Sequence, residues 1–262
     1  MKTKDEQVIQ MVRGTRAMLL PHWWKIEATK QKDSSAANVV TELDEKVERY
    51  YAAELKKIDP DADFVGEEFG GDRKAKRFWI ADPIDGTAHY IRGLPFCTTM
   101  LALIEDGRVN FSIIYDFIND IVYHARRGMG AYMNDERIHV SERPVSNSYA
   151  AYESQIEKAD RPENMEKFLK FSQKTKFFRA VTSGYEYVLV ATGKLEGRVC
   201  FNPYGNDYDY APGSLLVSEA GGIVANIGST KYDFNNLDFI AANKHLYKEW
   251  TEGEDAIFPI NK

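Results

Sequence analysis

Short apolar runs separated by turn residues fill the first half of the chain, and they constrain its fold more than any other feature. The runs have the length of β-strands and cover residues 63–66, 78–81, 98–104, 111–115 and 121–125. Asp106-Gly107 stands between two of these runs, and an Asp-Gly pair in that place is typical of a tight β-hairpin. The pattern predicts a largely antiparallel sheet.

Two segments with helical periodicity precede these strands in the sequence. Apolar side chains recur at helical spacing over residues 5–20 and again over residues 41–58. Thr41 and Asp44 have the spacing of a capping box at the start of the second segment. Two helices are therefore predicted to pack against the sheet.

Helix and strand alternate in the second half of the chain. The predicted elements are a helix at 162–174, a strand at 177–181, a helix at 184–195, a strand at 197–201, a helix at 209–220, and strands at 223–227 and 238–242. We predict a layered α/β architecture with two sheets, in which residues 1–145 and 146–262 are the halves of one compact unit.

Charge and cysteine content exclude several classes of protein. The net charge is −6 without a long block of like charges, which argues against a nucleic-acid-binding stripe or a polybasic membrane surface. No apolar run approaches the ~18 residues of a membrane span. Cys97 and Cys200 lie outside any Cys-x-x-Cys pattern. We therefore expect a cytoplasmic protein with neither a nucleic-acid nor a membrane partner.

The segment 79–87 carries the strongest chemical signal. Its apolar strand ends at Asp82 and Asp85, and the intervening Pro83 and following Gly86 favour a turn that brings both carboxylates to one point. Mg²⁺ prefers oxygen ligands of this kind. Taken alone, the same segment is also consistent with an ordinary turn that Asp82 caps.

Two further acidic positions are candidates. Glu67 and Glu68 end an upstream strand, and because side chains alternate along a strand we expect only Glu67 to reach the two aspartates. Asp209 stands at the start of a predicted helix with Pro212 in its first turn. An aspartate in that position is also a favoured N-cap, so Asp209 alone does not indicate a metal site.

A fourth segment precedes the helix predicted at 184–195. Ser183 and Glu186 have capping-box spacing, and the exposed N–H groups of a helix start are equally suited to a phosphate. Thr182 and Ser183 are therefore candidates for phosphate contact, and the sequence leaves both interpretations open.

In this order and spacing the segments resemble the inositol monophosphatase family of lithium-sensitive phosphatases. The agreement spans nearly the whole chain and rests on residues 66–68, 82–87 and 209–222, with lesser agreement at 40–44 and 239–243. The resemblance implies an αβαβα sandwich, commonly a homodimer. It also implies a phosphomonoesterase that acts on inositol monophosphate or a related small polyol or sugar phosphate.

The resemblance assigns metal ligands by position, for two or three Mg²⁺ ions. Glu67, Asp82 and the backbone carbonyl of Ile84 would hold the metal that binds the attacking water. Asp82, Asp85 and Asp209 would hold a second metal beside the leaving oxygen. Two such ions can relieve charge on the phosphoryl group and on the departing alkoxide.

It also assigns catalytic and phosphate contacts. Thr87 and Glu67 would orient and deprotonate the water, while Asp44 would act through waters on the loop that bears the metals. The backbone N–H groups of Gly86 and Thr87 would bind phosphate oxygens.

The sequence departs from the family at Asn202, where inositol-specific relatives carry an acidic residue that binds ring hydroxyls. Asn202 is predicted either to contact substrate with modest selectivity or to form a turn before Pro203. A lysine that the family often has near its lid corresponds to Lys32 only with a one-residue shift. Two alternatives remain: a phosphatase of 3′-phosphoadenosine phosphate or NADP, and a non-catalytic regulatory protein.

Overall fold

The computed structural model describes residues 2–31, 39–178 and 182–261, and Lys32 lies outside these ranges. The helices are α1 (Lys4–Gly14), α2 (Arg16–Leu19), α3 (Glu42–Ile58), α4 (Thr87–Ile91), α5 (Pro162–Lys174), α6 (Ser183–Ala191), α7 (Asp207–Glu219) and α8 (Lys244–Thr251). Within the described ranges no helix is long and apolar enough to cross a membrane.

The strands belong to two main sheets and one short pair. They are β1 (Lys30–Gln31), β2 (Val39–Val40), β3 (Asp63–Gly66), β4 (Arg77–Asp85), β5 (Thr98–Glu105), β6 (Arg108–Asp116), β7 (Ile121–Arg126), β8 (Gly130–Met133), β9 (Glu136–Ile138), β10 (Tyr149–Glu153), β11 (Lys176–Phe178), β12 (Gly197–Cys200), β13 (Ile223–Asn226) and β14 (Phe239–Ala242). β1 and β2 pair antiparallel with each other.

The first main sheet has seven strands in the order β3-β4-β5-β6-β7-β8-β9. β3 and β4 are parallel, and every other neighbouring pair is antiparallel. Asp106 and Gly107 both have positive φ, at 47° and 72°, as a two-residue hairpin turn requires. The predicted antiparallel sheet and its hairpin are confirmed.

The second main sheet has five strands in the order β11-β10-β12-β14-β13. β10 runs parallel to β11 and β12, whereas β14 runs antiparallel to both of its neighbours. The part of the strand predicted at 177–181 that is described ends at Phe178, and residues 179–181 lie outside the described ranges.

Three apolar clusters bind the layers together. α1 and α3 pack on one face of the first sheet, α6 and α7 lie between the two sheets, and α5 and α8 cover the outer face of the second sheet. β4 and β5 are buried along nearly their whole length because helices cover both faces of the sheet. The predicted αβαβα layering is confirmed.

Several elements differ from the sequence prediction. The capping box of Thr41 and Asp44 is present, but the helix predicted at 5–20 is interrupted at Thr15. β8, β9, β10 and α8 were not predicted. α6 and α7 contact each other so closely that a Cβ on Gly213 would lie 1.9 Å from the Tyr187 ring, so glycine is required there. The starts of both helices lie beside the end of β4.

Candidate metal centre

The end of β4 presents two buried carboxylates. Its register with β5 is irregular between Asp82 and Asp85, where Pro83 has no N–H to donate to the ladder. The Asp82 carboxylate instead accepts the backbone N–H of Ile84 at 3.0 Å. Asp82 and Asp85 are 2% and 4% exposed. The irregularity thus turns two aspartates of one strand toward the same side.

Asp209 completes the cluster from α7. One carboxylate oxygen from each of Asp82, Asp85 and Asp209 lies within 4.8 Å of the others. The prediction that Asp209 stands at the helix start was wrong in detail. α7 begins at Asp207, and the carboxylate of Asp209 accepts the N–H of Asn206 at 2.6 Å from the third helical position. The earlier start also places Pro212 in the second turn rather than the first.

The cluster is electrostatically strained. Burial, reinforced by the charge of Glu67, holds the pKa of Asp82 and of Asp209 well above the usual range of a carboxyl group. Burial also raises the pKa of Asp85, although the N–H of Gly184 opposes that rise. A divalent cation would relieve the repulsion, so this donor set fits a hard metal ion.

The structure brings Glu67, rather than Glu68, to this cluster. The charge of Glu67 raises the pKa of both Asp82 and Asp209. Glu68 instead donates its backbone N–H to Glu48 of α3. The charge of Glu67 thus acts on the cluster as the sequence-based choice requires, and its role as a metal ligand stays a prediction.

Thr87 and Asp44 meet beside the cluster. The Thr87 hydroxyl lies 3.0 Å from Asp44 Oδ1 and 2.9 Å from the carbonyl oxygen of Ile84. The other oxygen of Asp44 accepts both the N–H and the hydroxyl of Thr41 at 2.7 Å. Burial raises the pKa of Asp44 to about 7. The resemblance implied a contact through waters, whereas here Asp44 contacts Thr87 directly.

Gly86 precedes Thr87 in a conformation that favours glycine. Its φ is 85°, and a Cβ there would lie 2.8 Å from the carbonyl oxygen of Phe96 and 2.3 Å from the Thr182 side chain. The start of α4 therefore lies against the residue that precedes α6.

The start of α6 reaches the cluster through Gly184, whose N–H donates to Asp85 Oδ2 at 2.8 Å. No pattern in the sequence predicted this contact. The predicted capping box of Ser183 and Glu186 was wrong, because α6 begins at Ser183 after Thr182, and Glu186 forms a buried ion pair with Arg198 at 2.8 Å. A buried arginine on β12 competes for that carboxylate, and no local spacing reveals it.

Asn202 does not turn its side chain to the cluster. Its amide donates to Asn164 of α5 at 2.7 Å, and its backbone N–H donates to Asp238 at 2.7 Å. Its φ is 46°, a left-handed conformation that asparagine tolerates better than most residues. The structure favours the turn interpretation over the predicted substrate contact.

Comparison with known proteins agrees with this geometry. The sequence profile described as the inositol monophosphatase family matches residues 4–255. A fructose-1,6-bisphosphatase/inositol-1-monophosphatase of Thermotoga maritima is 30% identical over 249 residues, which cover 92% of this chain and 91% of that protein. Inositol monophosphatase 1 of Homo sapiens is 28% identical, with 91% of this chain and 89% of that protein covered.

A bacterial relative and a solved structure complete the comparison. The Nus factor SuhB of Pseudomonas aeruginosa is 28% identical, with 86% of this chain and 85% of that protein covered. The solved structure of a Thermotoga maritima IMPase superposes with a TM-score of 0.81 at 27% identity and covers 92% of each chain.

Proposed function

The chain belongs to the inositol monophosphatase family, and on this premise we propose that it is a Mg²⁺-dependent phosphomonoesterase of inositol monophosphate or a related small polyol or sugar phosphate. The observation that carries the proposal is the convergence of Asp82, Asp85 and Asp209 within 4.8 Å. Cytoplasmic location and assembly as a homodimer are further proposals that rest on the resemblance and the composition.

The donor set suits two or three Mg²⁺ ions. Asp82, Asp85 and Asp209 offer hard anionic oxygens, Glu67 adds a fourth carboxylate, and the carbonyl oxygen of Ile84 adds a neutral ligand. When bound, Mg²⁺ supplies positive charge to the phosphoryl and leaving oxygens and makes water more acidic. The protein's part is to hold these oxygens together against their mutual repulsion.

Thr87 and Asp44 form the hydrogen-bonded pair that is proposed to orient the attacking water. The Thr87 hydroxyl can donate its hydrogen to Asp44 Oδ1, which leaves the threonine oxygen free to accept a hydrogen bond from a water molecule. Burial raises the pKa of Asp44 to about 7 in the metal-free site, and bound divalent cations would lower that pKa, so in the loaded site Asp44 acts as the acceptor that orients the Thr87 hydroxyl. The proposed role of Glu67, which follows from the family resemblance, is to act with Thr87 in orienting that water.

Phosphate oxygens are proposed to contact the starts of α4 and α6. At the start of α4 the proposed donors are the backbone N–H groups of Gly86 and Thr87. At the start of α6 the proposed contacts are Thr182 and Ser183. The N–H groups of a helix start suit anions. The N–H of Gly184 already donates to Asp85, so the phosphate contacts of α6 fall on the two preceding residues.

A phosphate-release panel tests the proposal. The substrates are inositol 1-phosphate, β-glycerophosphate, fructose 1,6-bisphosphate, NADP and 3′-phosphoadenosine 5′-phosphate, each with Mg²⁺ and with excess chelator. We expect Mg²⁺-dependent hydrolysis of the polyol and sugar phosphates. Asp209→Asn should abolish most of it, whereas Asp61→Asn, the same change at an exposed position, should not. Strong preference for a nucleotide would favour the alternative phosphatase, and hydrolysis in chelator would contradict the metal requirement.

A further inference from the structure

Helix α3 carries two buried carboxylates on one face. Asp44 and Glu48 are four residues apart, so their side chains lie one turn above each other, and each is 1% exposed. Asp44 holds the Thr87 hydroxyl. Glu48 has no role in the family resemblance or in the sequence prediction, and its surroundings indicate what it does.

Glu48 accepts two successive backbone N–H groups. Its Oε2 atom lies 2.7 Å from the nitrogen of Glu68, and its Oε1 atom lies 2.9 Å from the nitrogen of Phe69. One carboxylate therefore satisfies two successive backbone donors of the turn that follows β3. A glutamine at this position would present an amide NH₂ to one of them, and two donors would face each other.

The same turn requires a glycine beside the Glu48 carboxylate. A Cβ on Gly66 would lie 1.7 Å from Glu48 Oε1, so the carboxylate occupies the space of the missing side chain. The N–H of Gly66 donates to the carbonyl oxygen of Gly70 at 3.0 Å and closes the turn. Glu67 lies inside this closed turn, directly between Gly66 and the two N–H groups that Glu48 binds.

Placing a carboxylate here is costly. Burial raises the pKa of Glu48, and the charges of Glu68 and Glu67 act in the same direction. The two backbone hydrogen bonds oppose that rise. The same two hydrogen bonds fix the conformation of the backbone on either side of Glu67.

We propose that Glu48 is a positioning residue that fixes the turn 66–70 and thereby directs Glu67 toward Asp82. One face of α3 then sets two parts of the metal centre, with Asp44 holding Thr87 and Glu48 holding the Glu67 turn. The inference rests on the proposed metal-dependent function. It adds that the separation of these two parts is determined by one helical turn.

The test compares Glu48→Gln with Glu54→Gln. Glu54 lies on the same helix and pairs with Lys57 at the surface, so the control makes the same chemical change away from the turn. Mg²⁺ alone is titrated calorimetrically into protein that a chelator has stripped of metal. We expect Glu48→Gln to weaken Mg²⁺ binding by about 10-fold or more, as loss of a group supporting a metal ligand does, and Glu54→Gln to leave it unchanged.

A second variant perturbs the same contact without changing any charge. Gly66→Ala places a methyl group on the Glu48 carboxylate and should weaken Mg²⁺ binding in the same way. It decides the question if Glu48→Gln does not fold. In β-glycerophosphate hydrolysis both variants should lower kcat more than they raise KM, because the substrate contacts at α4 and α6 are untouched.

A measurement in chelator separates this inference from the proposed function. In wild type the amide protons of Glu68 and Phe69 should exchange slowly with solvent, and in Glu48→Gln at least one should exchange faster. Wild type that binds no Mg²⁺ would contradict the proposed function, while these amides would still test Glu48. Folded variants with wild-type Mg²⁺ affinity, or with unchanged exchange at both amides, would overturn the proposal.

Discussion

Replacing Asp85 with asparagine should stabilise the metal-free protein while nearly abolishing catalysis. The Asp85 carboxylate accepts the N–H of Gly184 at 2.8 Å and the hydroxyl of Thr98 at 3.1 Å, and the carbonyl oxygen of an asparagine can accept both. Its charge lies within 4.8 Å of those of Asp82 and Asp209. Two charges at that distance repel by about 3 kcal/mol at an effective dielectric constant of about 20.

Proton uptake already relieves part of this repulsion, as the raised pKa values of the cluster indicate. We therefore expect Asp85→Asn to gain about 1–2 kcal/mol of unfolding free energy in chelator, or about 2–4 °C in Tm per kcal/mol. Activity should fall at least ~10²-fold in kcat/KM, about 2.7 kcal/mol of transition-state stabilisation.

Thermal unfolding of wild type, Asp85→Asn and the exposed control Asp61→Asn is measured in chelator and in Mg²⁺. Mg²⁺ should raise the Tm of wild type more than that of Asp85→Asn. The difference between the two Tm values should therefore narrow or change sign in Mg²⁺. A lower Tm for Asp85→Asn in chelator, or equal stabilisation of all three proteins by Mg²⁺, would refute the reasoning.

Three further predictions follow from buried or strained groups. Arg198 is 1% exposed and pairs with Glu153 and Glu186, so Arg198→Met should cost about 3–5 kcal/mol of unfolding free energy in urea titrations; a loss below about 1 kcal/mol would contradict this. Asn202→Glu should cost about 1–2 kcal/mol because of its positive φ. It should leave the ratio of kcat/KM for inositol monophosphate to that for β-glycerophosphate unchanged. A tenfold rise in that ratio would show that residue 202 contacts the substrate after all. In chelator the Tm should fall as pH rises from about 5 to 7, because carboxyls with raised pKa, Asp44 at about 7 among them, bind more protons folded than unfolded; a Tm that rises over this range would contradict the burial of these groups.

Features fixed by neighbouring residues could be predicted from the sequence. The hairpin depends on Asp106 and Gly107, and the irregularity at the end of β4 depends on Pro83. The start of α3 depends on Thr41 and Asp44. Each of these arises within a few residues of backbone, where turn chemistry decides the outcome.

Features that depend on partners distant in the sequence could not be predicted. Glu186 has the spacing of a cap, but Arg198 on another strand pairs with it instead. In the sequence Glu48 has no feature that sets it apart from other helix residues. Its role depends on the turn 66–70, whose backbone N–H groups it binds. Asn202 corresponds to a substrate-binding position of the family by its place in the sequence, which does not reveal that its side chain bonds to Asn164 of α5.

Anomalous diffraction from crystals soaked in Mn²⁺ tests the central claim most directly. We expect anomalous peaks about 2 Å from carboxylate oxygens of Asp82, Asp85 and Asp209, and their loss after a chelator soak. Crystals with no peak at this cluster at saturating Mn²⁺, from protein that still releases phosphate, would contradict it.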